Sequence, residues 1–264
     1  MSDLINTKPK LLVIGDALRD IYMQGQWGLR NGALRFKPHE ILELEGGAAN
    51  TLANARAILG NKAIVEKYMN PVPLSLYRFI EKQEVRESYV QPISHNVLSL
   101  PWEKHCPDGL IISDYNKGTV NRPPNCSISQ ADWIIVDSRY RSVHPEWLAL
   151  GAIKIWRCTG EEWDPLWSRH FDYIVHTDGP NTIELIASDG HFKRIKVPEI
   201  QVVDTCGAGD TFTAMLGSYL LLNLKNYPVR LGDFYPLADA IPHCVKAAQE
   251  VCMKQYTAIT SEKL

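Results

Sequence analysis

Val202-Val-Asp-Thr-Cys-Gly-Ala-Gly-Asp-Thr-Phe-Thr-Ala-Met-Leu216 is the stretch around which this chain is organised. Two β-branched residues run into a turn of small residues, Gly207-Ala208-Gly209, and an apolar helical run then starts with Asp210. Such a turn leaves backbone N–H groups unpaired at a helix N-terminus, where the macrodipole also favours negative charge. It is a place for an anion, yet it carries an acidic side chain in its mouth. Capping accounts for Asp210, because Asp is a good first-turn residue. A general base beside a phosphoryl group accounts for it equally, since that chemistry needs an anion cradle and a carboxylate within reach of a hydroxyl. On this stretch alone the two readings stand level.

Upstream, short apolar runs of the kind that form buried strands recur: Leu11-Leu-Val-Ile-Gly15, Gly109-Leu-Ile-Ile-Ser113, Asp132-Trp-Ile-Ile-Val136, Ala152-Ile-Lys-Ile-Trp156 and Phe171-Asp-Tyr-Ile-Val-His176. Ala63-Ile-Val reads as a further strand, and residues 87–100 as strand fragments. Thr182 to Ala187 and Phe192 to Val197 flank Ser188-Asp-Gly190 as a hairpin. Helices are predicted from Gly46-Gly-Ala-Ala-Asn50 to a stop at Gly60, over 74–84, from Glu162 to about His170, from Asp210 to about Leu224, and from Leu237 to about Tyr256. Strands alternating with helices predict an α/β fold, a mostly parallel sheet with helices on both faces. Residues 21–44 differ: short alternating pieces separated by Gly25, Gly28, Gly32 and Pro38 predict a small inserted sheet. Its apolar Trp27, Leu34 and Phe36 suit a lid or a dimer surface.

Polar residues follow the apolar strands repeatedly: Asp16, Asp114, Asp137, Glu161, Asp178 and Asp210. On a parallel sheet they would gather at the carboxyl edge, the usual ligand side. For Asp20 a turn or capping role is the simpler reading. The Gly46-Gly47 pair permits close approach to the backbone, and Asn50 offers both a donor and an acceptor to sugar hydroxyls. Taken alone, that segment reads more simply as a Gly-rich connection into a helix with an Asn in its first turn, and a solvated loop residue is the commoner reading of Lys117.

Composition narrows the classes. The 264 residues can bury one large core or two modest ones, and 45% hydrophobic with 22% charged residues is ordinary for a globular protein. A formal net charge of -2 supplies no field to recruit nucleic acid. No apolar run is long enough to span a bilayer, and the N-terminus lacks the basic-then-apolar order of a secretory signal. Six cysteines, with no Cys-x-x-Cys pair and no His cluster at zinc spacing, read as reduced thiols of a cytoplasmic protein. Neither a Walker A motif nor a Rossmann glycine fingerprint is present.

Gly15-Asp16, Gly46-Gly-Ala-Ala-Asn50 and Asp204-Thr-Cys-Gly-Ala-Gly-Asp-Thr-Phe212, in that order, resemble the ribokinase-like (pfkB) carbohydrate kinases, whose signature is the Gly-Ala-Gly-Asp element. Ser113-Asp-Tyr-Asn-Lys-Gly118 and Gly15-Asp-Ala-Leu-Arg-Asp-Ile-Tyr22 resemble more narrowly the heptose-7-phosphate kinase domains. The resemblance runs from about residue 10 to 258 and is weak between 68 and 105, where this chain is shorter. It implies a three-layer fold, a single kinase domain over 1–264 with a β lid at about 21–44, and transfer of a phosphoryl group from ATP to a sugar hydroxyl with Mg²⁺. By the same resemblance Asp210 is the base, and the N–H groups of Gly207, Ala208 and Gly209 hold the phosphoryl group. Asp16, Gly46, Gly47, Asn50 and Lys117 grip the sugar; Glu161, Thr177, Asp178 and Gly179 face the nucleotide, Glu161 also Mg²⁺ through water. Asp210 needs no raised pKa, since it acts as the proton leaves. The family's Asn-x-x-Glu aligns with Cys158-Thr-Gly-Glu161, which keeps the Glu and replaces the Asn. Arg139 stands where heptose kinases often carry a basic residue, a phosphate contact or a surface salt bridge. The acceptor implied is a sugar or sugar phosphate such as a heptose 7-phosphate. Another small alcohol (a pentose, fructose phosphate or nucleoside) and a non-catalytic sugar- or nucleotide-binding member are the alternatives. The partners expected are a small molecule and, through the lid, a second copy, with neither nucleic acid nor membrane.

Overall fold

A computed structural model describes residues 8–70, 72–82, 84–90, 104–121, 127–138, 140–224 and 234–264. Its strands are β1 (Lys10–Gly15), β2 (Ala17–Arg30), β3 (Ala33–Gly47), β4 (Ile64–Met69), β5 (Leu74–Glu81), β6 (Glu84–Val90), β7 (Lys104–His105), β8 (Gly109–Asp114), β9 (Ser127–Ile128), β10 (Ala131–Ser138), β11 (Gly151–Thr159), β12 (Tyr173–Thr177), β13 (Thr182–Ala187) and β14 (Phe192–Lys196). The helices are α1 (Ala48–Leu59), α2 (Pro145–Leu148), α3 (Pro165–Ser168), α4 (Ala208–Asn223) and α5 (Leu237–Cys252). Eight strands form the central sheet in the order β14-β13-β12-β11-β10-β8-β1-β4. It is parallel from β12 to β4, and β13 and β14 extend it as the predicted antiparallel hairpin.

Both faces of the inner parallel strands are buried, which is why β1, β8 and β10 are continuous apolar runs instead of alternating ones. Leu11, Val13, Ile111, Trp133, Ile135, Ile155 and Val175 face the long helices α1, α4 and α5. Leu12, Ile14, Leu110, Ile112, Ile134, Val136 and Trp156 face a layer containing α2, α3 and their flanking loops, with Trp147 and Phe171 filling that side. The helix expected from Glu162 to His170 is instead a 3-10 turn at 160–162 followed by the four-residue α3. Pro165 lacks a backbone N–H and starts the helix afresh, with Asp164 accepting from the N–H groups of Leu166 and Trp167.

A second sheet of four strands, β3-β2-β5-β6, grows out of the end of β1. The short pieces predicted over 21–44 are in fact two long strands, 14 and 15 residues, paired antiparallel and joined at Asn31-Gly32. Both turn residues have positive φ, 54° and 75°, the conformation for which Asn-Gly is suited. The helix predicted over 74–84 is overturned: this segment is β5 and the start of β6. Its Tyr77, Phe79 and Ile80 prefer a pleated surface, and parallel pairing to β2 decides the outcome. Among the described residues no helix is long and apolar enough to cross a membrane. Cys106, Cys158, Cys206, Cys244 and Cys252 are free thiols.

Candidate active site

Parallel strands deliver their last residues to one edge. The register sets Gly15 beside Ser113, Ser113 beside Asp137, and Asp137 beside Arg157. The N-terminus of α4 comes down on this edge. Gly207 precedes it in the left-handed region, φ 79° and ψ -3°, with no side chain capping the helix. The Ala208 N–H donates to the Thr205 carbonyl at 3.2 Å, so the expected trio of donors is not intact. Among the described residues the N–H groups of Gly207, Gly209 and Asp210 have no partner. These three form the cradle. Gly207 does not tolerate a side chain, since its φ is positive and a Cβ would stand 2.8 Å from Asn50 Nδ2; one on Gly209 would crowd both terminal nitrogens of Arg157 at 3.1 Å.

Asp210 is buried inside this mouth. Its Oδ2 accepts from Asn50 Nδ2 at 3.0 Å, and its Oδ1 from Tyr115 Oη at 3.0 Å and Thr51 Oγ1 at 3.3 Å. Burial pushes the carboxyl up to about 7. The Asn50 amide opposes that rise, the nearby charge of Asp137 adds to it, and the Tyr115 hydroxyl and Arg157 guanidinium oppose it. A pKa near neutrality is a departure from the expectation that none was needed. It is also where a general base works best. Burial likewise holds the Tyr115 hydroxyl well above its ordinary value, so it stays protonated as the donor.

The residues expected to grip a sugar make the following contacts within the chain. Asp16 is wholly buried; its Oδ2 accepts from the N–H groups of Tyr115 and Lys117 at 3.0 and 2.9 Å, and its Oδ1 from that of Thr119 at 3.1 Å. It clasps the 115–119 loop. Gly46 and Gly47 make room for the protein itself. A Cβ on Gly46 would stand 2.8 Å from Asp20 Oδ2, and one on Gly47, whose φ is 58°, 2.7 Å from the Asp16 carbonyl oxygen. Asn50 is spent on Asp210 and on Asn54, whose Nδ2 donates to its Oδ1 at 3.0 Å. Lys117 contributes its N–H to Asp16 and is half-buried.

On the expected nucleotide side, Thr177 Oγ1 lies 3.3 Å from the Cys158 carbonyl oxygen and 3.5 Å from Arg157 Nη2. Asp178 and Gly179 form the exposed turn between β12 and β13, with Asn181 donating to Asp178 at 3.0 Å. The backbone of Glu161 lies in the 3-10 turn at 160–162; its side chain and Arg139 lie outside the described residues. Among the described residues no three His, Cys, Asp or Glu side chains gather to hold a metal ion. Cys158 does not face the site. It packs among Trp156 and Phe171 on the opposite face of the sheet, where burial pushes its thiol up to about 12. The neighbour that alternation turns toward α4 is Arg157.

Sequence reasoning missed Tyr115, Arg157 and a second buried cluster. Asp20 is a strand residue, not a cap: its Oδ1 is 3.4 Å from Arg78 Nη2 and its Oδ2 accepts from Thr257 Oγ1 at 3.0 Å. Thr257 also shares a hydrogen bond with Tyr22 at 2.8 Å, and its Cγ2 would lie 3.1 Å from a Cβ on Gly207. The second sheet and the segment after α5 therefore meet beside the cradle.

No protein-family model matches the chain, and no curated protein matches it by sequence. Solved structures do match. Ribokinase from Thermotoga maritima superposes with a TM-score of 0.65 at 14% identity, covering 96% of this chain and 97% of its own. The fold is ribokinase-like. The nucleoside kinase of Methanocaldococcus jannaschii, an archaeal member of the ribokinase family, gives 0.62 at 12% identity over 97% and 96%. Ribokinase from Arabidopsis thaliana, in complex with ribose and ATP, gives 0.60 at 13% identity over 97% and 96%.

Proposed function

We propose that the chain is an ATP-dependent kinase of a sugar or sugar-phosphate hydroxyl. The observation that carries the reading is Asp210: a carboxylate near neutrality, buried at the mouth of a helix whose N–H groups are unspent. The cradle fits a phosphate group, because it offers three N–H donors at a helix N-terminus and two glycines that leave the backbone open to close approach. In the step proposed, the acceptor oxygen bonds to the terminal phosphorus of ATP and the bond from that phosphorus to the bridging oxygen breaks, releasing ADP. Asp210 takes the hydroxyl proton, the Gly207, Gly209 and Asp210 N–H groups hold the phosphoryl oxygens, and Asn50 and Thr51 keep the carboxylate aimed. Tyr115 Oη occupies one of its lone pairs as an acceptor hydroxyl would. The described residues do not by themselves build a Mg²⁺ site. We assign that ion, which keeps few protein ligands in phosphate sites, to the nucleotide.

The neighbours bearing the names ribokinase and nucleoside kinase support this class of reaction. The narrower reading, a heptose 7-phosphate, rests on the 113–118 and 15–22 segments, and Arg78 beside Asp20 supplies a cation on the acceptor side. We read residues 1–264 as one kinase domain, with the second sheet as its lid. The exposed Leu29, Leu34 and Ile41 suit that sheet to pairing with a second copy, whereas Trp27 and Phe36 pack on each other and on Phe79. Light scattering at working concentration is expected to give twice the chain mass; a monomer would remove the pairing.

The specific alternative is a binding protein, favoured by the three donors that already engage Asp210. A coupled assay for ADP release with MgATP separates the two over ribose, fructose 6-phosphate, a nucleoside and a heptose 7-phosphate. Acceptor-dependent release that stops with a chelator is the expected result. Calorimetric binding of an acceptor without release across the panel would replace the kinase by the binding protein.

A further inference from the structure

The unspent N–H groups of the α4 mouth and an incompletely paired guanidinium meet at Gly209. The guanidinium is that of Arg157, the charged residue at the end of β11, which is 9% exposed. Burying a cation is costly unless it is well paired, and a guanidinium carries five N–H donors. Here its contacts are long: Nη1 is 3.3 Å from Asp137 Oδ1, and Nη2 is 3.5 Å from Thr177 Oγ1. Its buried Nε has no hydrogen-bond partner among the described residues. The group is nevertheless held in place. Phe212 lies under it at 5.8 Å, and Thr213 Oγ1 donates to Asp137 Oδ2 at 2.6 Å, fixing the carboxylate that orients it. Both terminal nitrogens stand 3.1 Å from where a Gly209 Cβ would be, so the missing side chain lets the guanidinium lie against the first turn of α4, beside the cradle.

We infer that Arg157 and the mouth of α4 form a single phosphate-binding site, in which the guanidinium touches the phosphoryl oxygens directly. Planar N–H pairs match phosphate geometry in a way a lysine does not. Under the kinase reading, on which this identification of the ligand rests, Arg157 is a catalytic residue that neutralises charge on the transferring group. The anion site itself stands apart from that reading and has its own test.

The probe is inorganic tripolyphosphate, titrated by calorimetry and by thermal shift into the wild-type chain, Arg157→Gln and Arg157→Lys at constant ionic strength. Wild type is expected to bind. Arg157→Gln is expected to lose affinity by at least about 10-fold, and Arg157→Lys by a similar factor, because one point charge replaces a fork. In turnover, Arg157→Gln is expected to lose about 100-fold in kcat, the usual effect of removing one charge-stabilising donor. A folded Arg157→Gln that binds tripolyphosphate within twofold of wild type overturns the inference. Should Arg157→Gln fail to fold, binding within twofold by Arg157→Lys overturns it equally. Tripolyphosphate binding that depends on Arg157, in a chain with no kinase turnover, would keep this site and remove the kinase reading. Unchanged turnover in Arg157→Gln would do the reverse.

Discussion

The end of β1 and the mouth of α4 each present a buried aspartate to the same sheet edge, and they are held in opposite ways. Asp16 accepts from three backbone N–H groups of one loop. Backbone donors cannot rotate away, so the 115–119 loop and the carboxylate fix one another. Asp210 accepts from an amide and two hydroxyls, all on side chains. Those donors can turn, and a hydroxyl brought by a ligand can replace one of them. Position at the ligand edge of a parallel sheet is thus not enough to name a functional acid. The kind of donor separates a carboxylate fixed by backbone from one held by side chains that a ligand can displace.

Replacing Asp210 with Asn should have the largest effect, because it removes the proposed base. Turnover in the coupled assay is expected to fall about 10³-fold, within the range for a general base. Stability should move the other way. The native state keeps the Asp210 proton up to about pH 7, whereas the unfolded chain releases it near 4. Stability therefore falls as pH rises between those values, and the whole penalty is present above pH 7. Asn carries no such penalty, so Asp210→Asn should gain on the order of 1–3 kcal/mol at pH 8 and nothing near pH 4. Urea melts at the two values check the sign. Wild-type kcat/KM should in turn decline as pH drops through about 7. A flat acid limb, or a variant destabilised at pH 8, would put Asp210 with Asp16 among the structural carboxylates.

Asp16→Asn tests the clasp. An amide accepts at one oxygen only and points its own N–H₂ at backbone donors, leaving at least one buried N–H unpaired. The expected loss is about 3 kcal/mol in urea melts, with faster hydrogen exchange over 115–119. If the variant instead kept its stability and lost only affinity for an acceptor, Asp16 would be the sugar grip that the family resemblance implies.

Much of this frame was legible in the sequence, and what escaped shares a cause. The runs ending at Gly15, Ser113 and Val136 had to be buried strands, since nothing else hides so many apolar residues between turns. The turn at Gly207 marked the cradle. Arg157 and Cys158 show the limit: strand side chains alternate, so an error of one residue at the end of β11 exchanges the side chain at α4 for one in the far core. The 74–84 segment read as a helix because β2, which makes it a strand, pairs with it from 56 residues away in sequence. The pairing of Asp20 with Arg78 is equally distant. Asn31-Gly32 was a local signal, and a reading that took every glycine as a break passed over it.

Tyr115→Phe separates the two aspartates with the smallest change. Tyr115 serves both: its backbone N–H donates to Asp16 and its hydroxyl to Asp210. Phenylalanine keeps the first bond and deletes only the second, so the clasp should survive and stability should change by only about 1 kcal/mol. The Tyr115 hydroxyl bond lowers the Asp210 pKa, and without it the carboxyl should titrate higher. The acid limb of kcat/KM is expected to move up, by less than about one pH unit. A water can then take the place of the phenol on Oδ1, so ADP release in the absence of any acceptor should rise. An acid limb that stays where it was, with no added release, would mean that Tyr115 only fills space and that the donors around Asp210 are as fixed as those around Asp16.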